Sequence, residues 1–422
     1  MSSYISQAVN SLRQEPLIST IAVIGTALAI FLIMVVVMTE QLPYTDIAPE
    51  LNKDRWLTHS NASIKSEGGT SNGAMSYPLV KTTFYKMTTP EEVTAFCNTP
   101  SKVSLSLPSG SAISGQLRDV DDRFFKVFTF RFIDGEPFSR EQFEAGVPVA
   151  VISRSIARKL FGSTEVAGKE ILIDHTIYRI SGVVDDVPGT SLLAYADVWV
   201  PFTATIAADL TWNNYMGVLS VLILAKSHDD FPAIRREYEQ IFNDFNRSIA
   251  DEGWEMVSLD RPYDIEQHLS APYANIGPQV EQERRRRYIT FAILLLVPAV
   301  NLSTMTHSHL SRRVREIGVR RAFGATRFEI LRDLFMENFV ITLLAGIIGL
   351  VLSVVFAYLF IDAIMTPTAG AQSFTGLSIL DLLRWSTFGW ALLFCFVLNL
   401  LSAGVPAWRA SRTNIVTALN RK

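Results

Sequence analysis

The chain has 422 residues, of which 49% are hydrophobic and only 19% charged, and its mean hydropathy is +0.23. Soluble domains usually carry more charge, about 25%, so the composition points away from a purely soluble protein. The formal net charge of −3 says little by itself, because the charges are segregated along the chain.

In chain order, the first segment spaces Ile5, Ala8, Val9 and Leu12 on one helical stripe. It reads as an interfacial helix over residues 1–16, or as an extension of the apolar run Leu17–Met38 that follows. That run is too long for a secretory signal core, and no Ala-x-Ala site follows it. It is expected to be an uncleaved first span, residues 17–38. Three more apolar runs are long enough for a bilayer, which takes roughly 20 residues: Tyr288–Thr306, Phe339–Ile361 and Trp385–Val405. None of the four holds an Asp, Glu, Lys, Arg or His side chain. Ion paths across lipid usually need one, which argues against a proton-coupled carrier or an ion channel.

Residues 39–278 read as one mixed α/β domain. Val103, Leu105 and Leu107 alternate with serines as a half-buried strand does. Pro148–Ile152 is a short apolar strand, Ser153 caps a helix running to Phe161, and Gly162 ends it. Ile171–Ile173 and Ile177–Val184 flank Asp174-His175 as a hairpin. Val218–Leu224 is a strand and Ile234–Ile249 an amphipathic helix. Pro272, Gly277 and Pro278 mark the domain's end. The pairs Asp121-Asp122, Asp185-Asp186 and Asp229-Asp230 read as solvated turns.

From Gln279 to Phe323 the one proline is Pro298. A continuous helix there would be about 65 Å long, against a hydrocarbon core of about 30 Å. Residues 279–310 are therefore expected to form a stalk and second span, with Pro298 as a tolerated bend or a hinge and Asn301 able to bond a neighbouring helix. Beyond it Arg312-Arg-Val-Arg-Glu-Ile-Gly-Val-Arg-Arg-Ala-Phe-Gly-Ala325 is dense in arginine yet interleaved with apolar residues. Lipid headgroups need only charge; the apolar residues point to a docked protein. Gly324 can end this helix with a left-handed cap, and Thr326 with Glu329 makes a capping box for the next. The segment, residues 311–333, thus turns a tight helical corner before the third span (334–362) and the fourth (380–405). Lys and Arg concentrate in this loop and in the tail at 406–422, which puts both on the cytoplasmic side and residues 39–287 outside. The run Arg284–Arg287 falls on the outer side, where it reads as a headgroup anchor or as a grip for an anionic cargo.

The corner residues carry a family resemblance. Arg315, Glu316, Ile317, Gly318, Arg320, Ala322, Gly324, Ala325 and Thr326 resemble the signature of MacB/FtsX-type ABC transporter permeases. Leu160-Phe161-Gly162, Gly168-Lys169 and Tyr178 to Val184 resemble the MacB-type periplasmic core. Pro406 to Arg412, with Val416 and Ala418-Leu419, is similar to the family's terminal cytoplasmic helix, although Ile415 stands where a proline is usual. The resemblance implies an α-helical membrane protein with four transmembrane helices and a large α+β extracytoplasmic domain between helices 1 and 2, in a bacterial inner membrane. It implies no catalysis and no cofactor in this chain; ATP and Mg belong to a separate ABC ATPase subunit. Arg312, Arg315, Glu316, Ile317, Gly318, Arg320, Arg321, Ala322, Phe323, Gly324 and Ala325 would bind that subunit. A second permease copy or paralogue completes a dimer, with membrane lipid and a periplasmic adaptor or outer-membrane duct as further partners and no nucleic acid.

Other motifs fail. Gly162 to Glu170 mimics a phosphate loop but has one residue too many between its glycines, and Glu170 stands where magnesium needs Ser or Thr. His307 and His309 do not share a helix face. The two cysteines, Cys97 and Cys395, fall on opposite sides of the outer boundary and offer no disulfide framework. Three functions stay open: transport by mechanical coupling, LolC/LolE-like lipoprotein release included; an FtsX-like regulator of a cell-wall hydrolase; and a membrane sensor with no ATPase.

Overall fold

The computed structural model describes residues 16–108, 110–212, 214–294, 296, 319, 323–365, 388–390, 392–393 and 396–397. These divide into two compact units, one of residues 16–43 with those from 284 to 364 and from 388 onward, the other of residues 44–283.

In the first unit, helix α1 spans Pro16–Gln41. Among the described residues one stretch, Val23–Tyr44, is helical, long and apolar enough to cross a membrane by length and composition, and Thr342–Ala357 is a shorter apolar helical stretch. Residues 280–294 are helical, the start of the expected stalk; Pro298, Asn301, His307 and His309 lie outside the described residues, as do the N-terminal stripe, Cys395 and the tail at 406–422. A second long helix, Arg327–Met365, carries small residues Ala345, Gly349, Ser353 and Ala357 at every fourth position. All four are buried, and a Cβ at Gly349 would stand 2.7 Å from the carbonyl oxygen of Ala27. Small side chains let helix backbones approach this closely in a membrane. Ile30, Ile33 and Met34 pack in the seam with Leu350 and Phe388. Arg287 Nε meets Glu40 Oε2 at 2.9 Å, so this arginine is engaged with a neighbouring helix rather than given wholly to headgroups or cargo.

The second unit is a sheet that closes on itself at one end and stays open at the other. Strands β1 (Trp56–His59), β2 (Ala62–Ser66), β3 (Gly69–Met75) and β4 (Glu92–Cys97) come first. Then follow β5 (Ser101–Ser106), β6 (Ile113–Val120), β7 (Phe132–Gly135), β8 (Val149–Ser153), β9 (Glu170–Ile173), β10 (Thr176–Val184) and β11 (Val198–Pro201). The last are β12 (Met216–Gly217), β13 (Leu219–Leu224) and β14 (Glu255–Met256). The order β11-β8-β10-β9-β5-β6 returns to β11 through a parallel pairing with β6, which makes a six-stranded barrel. From β6 the sheet continues through β4, β13, β3 and β2 to β14.

The two ends have separate cores. Leu105, Ile152, Ile171, Ile173, Ile180, Val198 and Val200 belong to the barrel's core, with the two-residue spacing of strands. The other core is aromatic, built on Phe96, Phe124, Phe128, Trp199, Phe202 and, from the helix α2 at Phe231–Ile249, on Phe231, Tyr238 and Phe242. Strand β8 is buried along its whole length because it separates them: Ala150 and Ile152 join the first core, Val149 and Val151 the second. That double burial is why 148–152 reads as an uninterrupted apolar run.

The expected local elements form. Ser153 Oγ accepts from the Ile156 amide, and Gly162 ends the helix Arg154–Phe161 at φ 69°. Asp174 and His175, at φ 44° and 70°, make the β9–β10 turn, the left-handed pair that a tight hairpin needs. The phosphate-loop mimic is structural: the Gly168 amide donates to Ile180 O at 2.7 Å, and Lys169 Nζ lies over the Phe161 ring. The expectation of solvated Asp pairs holds at Asp229-Asp230, in a one-turn 3-10 helix with no buried residue, and fails at the other two. Asp121 is fully buried, accepting from two hydroxyls and a backbone amide. Asp185 pairs with Arg154 and Arg131, and both oxygens of Asp186 cap Ser155.

Candidate functional site

The corner forms as its sequence requires. The Phe323 amide donates to Val319 O at 3.1 Å, the last turn of one helix. Gly324 then adopts φ 97° with no atom within 4 Å of where a Cβ would sit. A left-handed residue at this position is the usual helix terminator, and glycine takes it at no steric cost. Glu329 reaches back to the Thr326 amide at 2.9 Å while the Thr326 hydroxyl accepts from the Glu329 amide at 3.3 Å. These reciprocal bonds satisfy two orphan donors of the next helix and hold the Glu329 carboxyl below its ordinary pKa.

Of the eleven predicted docking residues, Phe323, Gly324 and Ala325 are described; Arg312, Arg315, Glu316, Ile317, Gly318, Arg320, Arg321 and Ala322 lie outside the described residues. Phe323 is 89% exposed and Phe328 74%. Phe328 was not singled out in the sequence. Its signal was a lone aromatic among Arg327, Glu329 and Arg332. Two bare phenyl rings beside a rigid turn form a knob able to fill apolar pockets.

The second unit has its own charged centre, which the sequence did not disclose. Glu50 is 3% exposed and Arg118 fully buried. Glu50 Oε2 meets Lys53 Nζ at 2.9 Å, and its Oε1 accepts from the amides of Leu193 at 2.7 Å and Ala194 at 3.0 Å. Arg118 donates to the carbonyls of Leu192 and Tyr195 on the same loop, and to those of Cys97 and Asn98 at the end of β4. Burial lowers the Arg118 pKa to about 10, which leaves it charged at neutral pH. Elsewhere, His59 is buried, bonded through Nε2 to Tyr238 at 2.9 Å, and held neutral by desolvation, with Arg261 adding repulsion; it is a core histidine. A cleft of about 520 Å³ opens between the helix Tyr77–Thr82 and α2, with Leu79, Tyr215 and Phe245 in its lining. Among the described residues no group of three His, Cys, Asp or Glu side chains is placed to hold a metal ion.

Comparison with known proteins gives two family matches. Residues 19–241 match the MacB-like periplasmic core domain, and residues 288–415 match the FtsX-like permease C-terminal domain. The chain is 24% identical over 300 residues to the uncharacterized ABC transporter permease YknZ of Bacillus subtilis (strain 168), an alignment covering 71% of this chain and 68% of that protein. It is 25% identical over 287 residues to the macrolide export ATP-binding/permease protein MacB of Bdellovibrio bacteriovorus, covering 68% of this chain and 41% of that one. The chain therefore spans under half the length of this MacB relative. Among solved structures, the periplasmic region of MacB from Actinobacillus actinomycetemcomitans matches at a TM-score of 0.33 and 15% identity, over 48% of this chain and 89% of that one. The extracellular domain of the ABC-type transporter YknZ from Gram-positive bacteria matches at 0.32 and 16%, over 47% and 100%.

Proposed function

This chain belongs to the MacB/FtsX-type ABC transporter permeases, its core-domain match alone covering more than half its length, and from that membership we propose that it couples ATP hydrolysis by a separate subunit to motion of its extracytoplasmic domain. In this reading four helices span the inner membrane, both termini are cytoplasmic, and two permease chains work together. ATP and Mg are bound by the partner. The segment Arg312–Ala325 docks on that ATPase, and the helix from residue 280 carries its displacement outward to drive export or extrusion of a substrate.

The observation that carries the proposal is the corner at Phe323 to Glu329. A capped, glycine-broken turn that displays two aromatic rings, Phe323 and Phe328, offers an apolar surface for another protein to cover. The absence of Asp, Glu, Lys, Arg and His from the four apolar runs supports a route in which force, rather than solute, crosses the lipid. The two-core extracytoplasmic unit offers a surface large enough to act on a cargo or adaptor.

The decisive experiment is co-purification. Glu316→Lys, or removal of residues 312–325, should abolish recovery of the ATPase while membrane insertion stays intact. Undiminished ATPase recovery with either variant refutes docking through this segment.

A further inference from the structure

We propose that Glu50 and Arg118 form a clasp through which displacement of the chain leaving α1 is delivered to the loop around Leu192 on the surface of the extracytoplasmic unit; the inference rests on the permease reading above.

The chain between α1 and β1 has no strand partner of its own beyond a local bridge of Ile47 with Glu50. Before β1 it is fastened at several points, among them the Arg55–Glu91 pair and the Ala225 amide on Arg55 O. The Thr129 amide donates to Pro49 O at 2.9 Å, Arg55 Nε donates to Ala225 O at 2.8 Å, and Glu50 accepts from Leu193 and Ala194. The Glu50 contact is buried and charge-assisted, unlike the partly exposed Arg55–Glu91 pair, and charge-assisted hydrogen bonds are about twice as strong as neutral ones.

The loop it grips is held from its other side by the opposite charge. The amides of residues 193 and 194 face the carboxylate, whereas the carbonyls of Leu192 and Tyr195 face the Arg118 guanidinium. The peptide joining Leu192 to Leu193 thus lies between an anion and a cation with its dipole in the favourable sense. Neither charge can slip without exposing the other's partners in a site that excludes water, where an unpaired polar group is expensive. Arg118 extends the connection to Cys97 and Asn98 at the end of β4. The outer end of the chain of contacts is Leu192, 58% exposed on a loop whose neighbour Ala194 is fully buried. An apolar side chain displayed on a clamped loop is where transmitted motion would meet a partner or cargo.

The test is hydrogen exchange on the full chain, reconstituted in lipid with its co-purifying ATPase, with and without ATP, Mg²⁺ and vanadate. In the unaltered protein, nucleotide should change exchange at least threefold both in residues 280–294 and in residues 188–197. Glu50→Ala should keep the response at 280–294 and the ATP turnover, but reduce the response at 188–197 below 1.5-fold. Glu50→Gln, which keeps an acceptor for the two amides, should restore most of it and guards against a folding defect, as does unchanged protection of β8 and β10. A full response at 188–197 in Glu50→Ala overturns the clasp. An unaltered protein that responds at 280–294 and not at 188–197 overturns it too, while leaving the permease reading standing. No response anywhere in the unaltered protein removes that reading and the clasp with it.

Discussion

Thr94 donates its hydroxyl to Oδ1 of Asp121 across 2.6 Å, while Oδ2 accepts from the Tyr85 hydroxyl at 2.6 Å and the Ala95 amide at 2.8 Å. The site joins β4, β6 and the turn at Phe84–Lys86 inside the aromatic core. Burial pushes the Asp121 carboxyl up to about 7 against these three donors. An unfolded aspartate titrates near 3.9. Between those values the native state holds a proton that the unfolded state has lost. The associated stability is complete below the unfolded pKa and disappears as pH rises through 7; three pH units correspond to roughly 4 kcal/mol. Asp121→Asn mimics the protonated form, its amide nitrogen donating to Thr94. The unfolding midpoint of the extracytoplasmic unit, followed by tryptophan fluorescence in the full chain, should fall between pH 4.5 and 7.5 and fall less in the variant. Equal slopes would show that Asp121 does not titrate in this range.

Gly349 and Ala27 approach so closely that a methyl group at 349 meets backbone, which cannot rotate away. Overpacking of this kind costs about 1–3 kcal/mol. Gly349→Leu should therefore lower the thermal midpoint of the detergent-solubilised protein by several degrees. Gly346 provides the control, because a Cβ there meets only the flexible side chain of Leu392, and Gly346→Ala should shift the midpoint by much less. Equal shifts would mean that the helix seam is not set at Gly349.

Much of the fold was legible wherever one face of an element meets one environment. Ser153 and Gly162 bracket a helix because capping is decided within a few residues. The same locality made the Gly324 turn and the Thr326–Glu329 box readable before any coordinates. Barrel closure was not readable, since the parallel β6–β11 pairing joins residues some eighty positions apart and leaves no local trace. Asp121 was misread for a related reason: its burial is created by Tyr85 and Thr94, and nothing in an Asp-Asp pair announces them. The Glu50–Arg118 centre was missed because both residues sit in stretches without periodicity and their partners are mostly backbone groups.

Lys53 is 5% exposed and answers Glu50 alone in its ion pair. Removing one partner of a buried pair leaves an uncompensated charge, typically at about 3–5 kcal/mol. Lys53→Met should thus destabilise strongly. The double variant Lys53→Met with Glu50→Gln should recover a substantial part, because the amide still accepts from Leu193 and Ala194 with no charge to solvate. Additive losses in chemical unfolding of the double variant would contradict this account.

The corner can be tested by backbone conformation alone. At φ 97° a β-branched residue is strained even though the space around Gly324 is open. Asparagine, by contrast, is tolerated at left-handed helix ends. Gly324→Val should therefore unwind the turn and cut ATPase co-purification at least tenfold, whereas Gly324→Asn should retain most of it. Phe323→Ala and Phe328→Ala leave the backbone untouched and remove the exposed rings. If the rings fill pockets in the partner, each should weaken recovery about tenfold while membrane insertion and thermal midpoint stay constant. A Gly324→Val protein that captures its ATPase normally would show that the turn's geometry does not matter. Ring deletions without effect would instead assign the docking to the arginines.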